Sequence, residues 1–503
     1  MTWWRRPYVW AIASAVAVVI ANVGGLAVGD DGIGYEATAD NLLAGHGLGY
    51  FLERHLTIWP PGWPLLMAFV SRVTPLSTAQ AAIALNALTA FAIVLLTSRL
   101  LRRLVRDEQL AFLGTAVAAV GASSMVFGHL LMTDFAFAAI TLALFLSLMN
   151  YRRTDEFAWM VISVLLVWAG FMIRYAGIVH IGTIGLWFLT DRRKTLFQRV
   201  RIAFVFGVGA AIVPALWIIR NIHTDDTALG VRYSSARGLL GNAFDTFATI
   251  GNFLTPGVAI EMRVIWAAVA VAGCAVMAVL LWRVLGSDPR VRTATGWVDI
   301  VASETGLLVL HIGVYLAYML YARTTTGLNR LDFRLLNPVY LPLVIVALVI
   351  LDRAGAPIGI GVARAWAGLN LLLGVGMIAY FATSPDLFVG NYERPAFDAV
   401  RHSSALAAIT PGCKVSSNLP NALYEAGVEA DWSPRNTGLE SNDPVDDLDQ
   451  LAADVDRHDH CLVWIDLEPR YGHLATLQEL RARFDLVELD AADRVTVYRI
   501  ERK

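Results

Sequence analysis

Apolar residues gather into long runs separated by short charged connections. A run of about 20 such residues crosses the hydrocarbon core of a bilayer. Runs of suitable length lie at Tyr8 to Val28 and at roughly 80–104, 110–131, 135–150, 157–173, 175–190, 202–219, 264–285, 300–322, 338–352 and 363–383. The pattern predicts a polytopic α-helical membrane protein with about eleven transmembrane helices. Arg5 and Arg6, Arg99 to Arg106, Arg152 and Arg153, Arg192 to Arg201, Arg283 to Arg292, and Arg353 with Arg364 fall on alternate connections. Cytoplasmic loops collect such residues, so those connections are expected inside the cell membrane and the others outside. An odd number of spans puts the C-terminus outside too.

The outward connections are unequal. The first, 29–79, is long, and the stretch after Pro64 reads as an amphipathic segment lying in the interface. The one at 220–263 is also long, while 132–134 and 323–337 are short. No internal repeat is visible, unlike in many secondary transporters. Past Ser384 acidic residues multiply and apolar runs shrink to strand length, so the chain divides into a membrane domain, 1–384, and a small soluble α/β domain, 385–503. Strands are expected at 414–418, 461–467 and in two runs within 484–500. Helices are expected at 393–409, 446–457 and 473–483. Cys413 and Cys461 both stand at strand starts, where an oxidising compartment permits a disulfide.

The composition agrees: of 503 residues, 56% are hydrophobic and 16% charged, where a soluble domain averages about a quarter charged. A net charge of −2 argues against a nucleic-acid partner, which needs a basic face. Three cysteines build no disulfide framework. Arg5, Arg6 and the first apolar run have the outline of a signal peptide, but GLAVGD is a poor cleavage site, so an uncleaved span is expected.

Chemistry concentrates at outward ends of spans. Asp30 and Asp31 sit where the first apolar run meets water; at that depth a carboxylate has a function or a partner. Asp30 ending one helix and Asp31 capping the next is the simpler alternative. Asp134 has the same two readings. Arg174 interrupts an apolar stretch, so its guanidinium must snorkel, pair or face a polar cavity. Arg220 and Asn221 follow the run ALWII. Arg330 and Arg334 would share a face if their segment is helical. Glu304 and His311 lie within one span, Glu304 near its inner end and His311 as a packed bundle histidine. No Walker A loop, dinucleotide fingerprint, H-E-x-x-H or G-x-S-x-G elbow is present.

D-x-x-x-Y (Asp31, Tyr35), A-x-x-L-L-x-G (Ala39 to Gly45) and P-P-G-x-P (Pro60 to Pro64) together resemble the first extracytoplasmic loop of GT-C superfamily glycosyltransferases. The similarity is greatest to protein O-mannosyltransferases and the lipid A aminoarabinose transferase. NRLDFRLLNPVYLP (329–342) similarly resembles their late R-x-L-x-P-x-x-x-P signature. The resemblance implies a GT-C type bundle in the cell (inner) membrane, with its active site and C-terminal domain extracytoplasmic. It implies an inverting transferase that moves a sugar from a polyprenyl-phosphate donor to a glycan, lipid or protein acceptor. Asp31 would be the general base, with Asp30 its near alternative and Asp134 a second acid at the same corner. That pair would orient the acceptor or hold Mg²⁺, Mn²⁺ or Ca²⁺, cations that favour oxygen ligands. Arg334, Arg330, Arg174 and Arg220 would bind the donor phosphate, for which a planar guanidinium is well shaped. Tyr35, Glu53, His55 and Asn221 would line the acceptor side. Two departures keep donor and acceptor open. The mannosyltransferases carry Asp-Glu where this chain has Asp30-Asp31, and the aminoarabinose transferase has a lysine where Trp59 stands. A polytopic transporter or flippase of lipid-linked glycans is the alternative; it would place its charges near the midplane.

Overall fold

The computed structural model describes residues 6–254, 262–355, 357–384 and 391–503. Among them, eight helices are long and apolar enough to cross a membrane, and three shorter apolar helices lie at Pro7–Ala21, Phe157–Ile173 and Tyr175–Leu189. All eleven fall on the apolar runs of the sequence.

α1 (Pro7–Ala21) leads through an extended stretch to α2 (Asp30–Ala44), whose first two residues are the paired carboxylates. A small ribbon, β1 (Gly49–Tyr50) with β2 (Arg54–His55), follows. Next comes α3 (Gly62–Val73), amphipathic as expected: Trp63 and Met67 are buried while Leu65, Leu66, Phe69 and Val73 face outward. α4 (Thr78–Leu104) starts at a capping box, with Ser77 and Gln80 satisfying each other's backbone N–H groups.

The run at 110–131 is two helices, α5 (Glu108–Val120) and α6 (Ala122–His129). Gly121 adopts an extended conformation between them. Leu130 to Thr133 leave the helix, and α7 (Asp134–Thr154) begins at Asp134. α8 (Phe157–Ile173) and α9 (Val179–Leu189) are separated by Arg174 and one 3₁₀ turn, and α10 (Leu196–Asp225) is the longest span. α11 (Leu239–Leu254) packs on α12 (Arg263–Gly286), and a short α13 (Ala294–Val301) precedes α14 (Glu304–Thr325). α15 (Phe333–Ala354) and α16 (Pro357–Thr383) complete the bundle.

Helix α15 corrects one expectation. Asp332 accepts the N–H of Leu335 (3.1 Å) and caps the helix at Phe333. Arg330 therefore precedes the helix and shares no face with Arg334. At one end of α14 Glu304 accepts Arg103 (Nε 2.8 Å) and Arg153 (3.5 Å). His311 is buried, stacked 5.4 Å from His180, a packed bundle histidine.

The C-terminal domain holds a five-stranded sheet in the order β4-β3-β5-β7-β6. Its strands are β3 (Lys414–Ser417), β4 (Asp431–Trp432), β5 (His460–Ile465), β6 (Phe484–Ala492) and β7 (Val495–Arg502). β3 runs parallel to β4 and β5, and the β6–β7 hairpin is antiparallel. The hairpin turns at Asp493 and Arg494, both with positive φ, as a two-residue turn that follows strand twist requires. Cys413 and Cys461 form a disulfide. Helices α18 (Pro420–Tyr424), α19 (Asp447–Val455) and α20 (Leu477–Arg483) flank the sheet. The single helix expected at 393–409 is instead α17 (Asp398–Arg401) between two 3₁₀ turns, because Ser403 turns extended and its hydroxyl bonds Ala492 O (3.0 Å). The apolar core runs without a break from the bundle into this domain.

Candidate active site

The site forms where α2, α7, α15 and the α8–α9 break meet. The extended residues before α2 lie against those before α7: Ala27 N–H donates to His129 O (2.8 Å) and Leu131 N–H to Ala27 O (3.0 Å). This pairing sets Asp31 beside Asp134, though 103 residues separate them. Arg334, one residue into α15, then reaches both. Its Nη2 lies 2.7 Å from Asp31 Oδ2 and its Nε 4.0 Å from Asp134 Oδ2. Arg174 comes from the opposite side and pairs directly with Asp134. The result is an alternating row, Asp31–Arg334–Asp134–Arg174.

Burial is graded along that row. The Asp134 side chain is 1% exposed, those of Arg174 and Arg334 are 16% and 20%, and that of Asp31 is 39%. Charges this deep need partners, and here each has one. Asp134 Oδ2 and Arg334 Nε, however, find no hydrogen-bond partner among the described residues. A buried acceptor and a buried donor thus face each other, 4.0 Å apart, beside the accessible carboxylate. Tyr35 lies one turn along α2 from Asp31, edge-on to Trp59 with ring centres 5.2 Å apart. Burial and the two nearby carboxylates push its phenol well above the usual range, so it stays protonated.

Asp30 points away from this row. Its Oδ1 accepts Tyr392 Oη and Asn421 Nδ2, and its Oδ2 accepts Tyr471 Oη, all at 2.6 Å. Three donors from the C-terminal domain thus converge on it. Arg220 and Asn221 form a neighbouring network. Arg220 donates to Leu56 O (2.5 Å) and lies 4.9 Å over the Trp217 ring, while Asn221 donates to Tyr175 Oη and Ala228 O, both 3.0 Å. With Tyr175 Oη on Thr57 O (2.7 Å), they hold the first loop rather than line its carboxylates. Arg330 and His55 are exposed, and the side chain of Glu53 lies outside the described residues.

One guanidinium escaped the sequence reading. Arg232, in the 226–238 loop, is held by Leu229 O (3.1 Å) and Ile58 O (3.2 Å) and feels the charge of Asp31. Its loop carries no apolar pattern and no motif, so nothing in the sequence sets Arg232 apart from nearby arginines.

Arg334 also stands where a cation bridging Asp31 and Asp134 would sit. Among the described residues, the metal-type ligands that converge as a group of three are Asp454, His458 and His460, in the C-terminal domain. The Lys414 ammonium lies against that group, 2.8 Å from Asp454 and 3.2 Å from His458 Nδ1.

No family model and no curated sequence matches the chain. Solved structures do. ArnT from Cupriavidus metallidurans, in the apo state and bound to undecaprenyl phosphate, superposes at TM-score 0.57 over 97% of both chains, with 15% identity. The chain shares the fold of ArnT. The archaeal oligosaccharyltransferase AglB from Archaeoglobus fulgidus also aligns, at TM-score 0.48 and 10% identity, over 92% of this chain and 69% of its own. In this fold the charged row occupies the end of the bundle that the C-terminal domain covers.

Proposed function

We propose that the chain is an inverting glycosyltransferase of the cell membrane that takes its sugar from a polyprenyl-phosphate donor on the extracytoplasmic face. The observation that carries the reading is the half-accessible Asp31 beside buried, balanced charges at one end of a bundle shared with ArnT, which has been solved with undecaprenyl phosphate bound. The opposite end gathers Arg103, Arg106, Arg152, Arg153, Arg193, Lys194 and Arg290, the signature of a cytoplasmic face. That arrangement supports a site on the outer side. Charges at one rim rather than the midplane favour an enzyme over a transporter.

Asp31 Oδ accepts the proton of the acceptor hydroxyl as its oxygen attacks the anomeric carbon. The bond from that carbon to the phosphate oxygen breaks, and its electron pair leaves with the polyprenyl phosphate, inverting the configuration. Arg334 holds the base in place. A hydroxyl entering between Asp134 Oδ2 and Arg334 Nε would satisfy both, which orients the acceptor. Within the row two carboxylates balance two guanidiniums, so the departing phosphate needs further positive charge. Arg232, held by carbonyls with no carboxylate bonded to it among the described residues, supplies it. Phosphate binding therefore falls to Arg334 and Arg232, with Arg174 committed to Asp134. The purified protein, given undecaprenyl-phosphate-linked aminoarabinose, mannose and arabinofuranose, should release undecaprenyl phosphate from one of them. Release from none, with the carrier lipid failing to bind, would end this reading.

A further inference from the structure

Asp30 and Asp31 open α2 behind Gly29, which has no side chain with which to cap the helix. What fixes this first turn comes from far along the chain. Val28 donates its N–H to Asn391 Oδ1 (2.9 Å) and accepts Tyr392 N–H at its carbonyl (2.8 Å). Two residues on, the Asp30 carboxylate takes Tyr392 Oη, Asn421 Nδ2 and Tyr471 Oη, from three separate segments of the C-terminal domain. Ala27 meanwhile is pinned to the segment that carries Asp134. The backbone leading into Asp31 is thus clamped between the segment that leads into Asp134 and the C-terminal domain.

We propose that Tyr392, Asn421 and Tyr471 are positioning residues that act through Asp30, so that the C-terminal domain sets where the Asp31 carboxylate stands. The inference rests on Asp31 being the base. Both phenols are shielded from water and face an anion, which keeps them protonated as donors. Tyr392 is 1% exposed, and the three short bonds each go to a charged acceptor, the stronger class of hydrogen bond. The domain also docks through contacts that do not include Asp30: Tyr424 Oη on Asp40 (2.6 Å), and Ser234 on Asp443 (2.7 Å). These serve as controls, because weakening them loosens docking without touching Asp30.

The test uses the full-length protein in nanodiscs. It compares Tyr471→Phe and the Tyr392→Phe/Tyr471→Phe double variant with Tyr424→Phe and Asp443→Asn. Assays use whichever of the three undecaprenyl-phosphate sugars above is cleaved fastest, alongside hydrogen exchange of residues 28–36. A base displaced by about 1 Å loses on the order of 100-fold in rate. The double variant should lose about that much kcat, keep the donor KM, and exchange faster at 28–36. The single variant should fall between it and wild type. Tyr424→Phe and Asp443→Asn should keep both kcat and exchange. Equal losses in both sets, or an unchanged kcat in the double variant while Asp31→Asn is inactive, would overturn the inference alone. An active Asp31→Asn would instead overturn the base assignment on which it rests.

Discussion

Asp31 and Asp30 are identical side chains one position apart, and their surroundings give them different work. Asp31 meets one guanidinium and water; Asp30 meets three neutral donors. The sequence shows two adjacent acids at a span end and leaves their roles open, because the distinguishing partners lie up to 441 positions away. Arg334 was legible from its motif. Arg330 stands beside it and Arg220 is a further candidate, and the helix start at Phe333 and the hold on Leu56 separate them from it. Removing Asp134 leaves the Arg174 guanidinium without its partner. Asp134→Ala should cost about 3–5 kcal/mol, read as a lower unfolding midpoint in detergent, whereas Asp31→Asn should leave that midpoint near wild type. Glu36, on α2, supplies a pH prediction. Burial, then Glu425, Asp40 and Glu393, raise its carboxyl to about 8, while Thr78 donates to it. The folded protein therefore keeps a proton that the unfolded chain releases at the ordinary carboxyl range. Stability should fall as pH rises from about 4.5 to 8 and level off above. Glu36→Gln should flatten that decline in thermal melts across the same range.

Helices and their order were legible because lipid-facing and buried faces are both apolar, so each span writes a long run. The same uniformity hides breaks inside a run. Gly121 divides 110–131, and only the residues packed around it show why. A Cβ at Gly374 of α16 would strike the carbonyl of Val120, just before that break, whereas Gly376 faces open space. Small residues let membrane helices approach this closely. Gly374→Ala should push α16 off α5 and lower the unfolding midpoint by several degrees, with Gly376→Ala as the neutral comparison; equal melting of the two would refute the close packing. In the soluble domain, the β6–β7 hairpin was readable from alternation. The two-residue β4 was too short to leave a pattern.

For the whole molecule, the C-terminal domain is the part whose purpose the sequence left blank, and the structure ties it to both long outer loops. It meets the first through Asp30, Asp40 and Arg54, and the second through Ser234, while Arg323 in the last turn of α14 pairs with Glu440 (2.9 Å). Such ties link positions hundreds of residues apart, which periodicity cannot report. The arginine-rich opposite end predicts the orientation proposed above. Alkaline phosphatase fused after Lys503 should be active, and green fluorescent protein fused there should stay dark; the reverse would invert the topology. The central claim is that Asp31 is the base of a donor-cleaving site. Release of undecaprenyl phosphate in a single turnover, measured for wild type, Asp30→Asn and Asp31→Asn, tests it most directly. The account predicts release by wild type, partial loss in Asp30→Asn, and loss by orders of magnitude in Asp31→Asn with undecaprenyl phosphate still bound. Wild-type release by Asp31→Asn would contradict it.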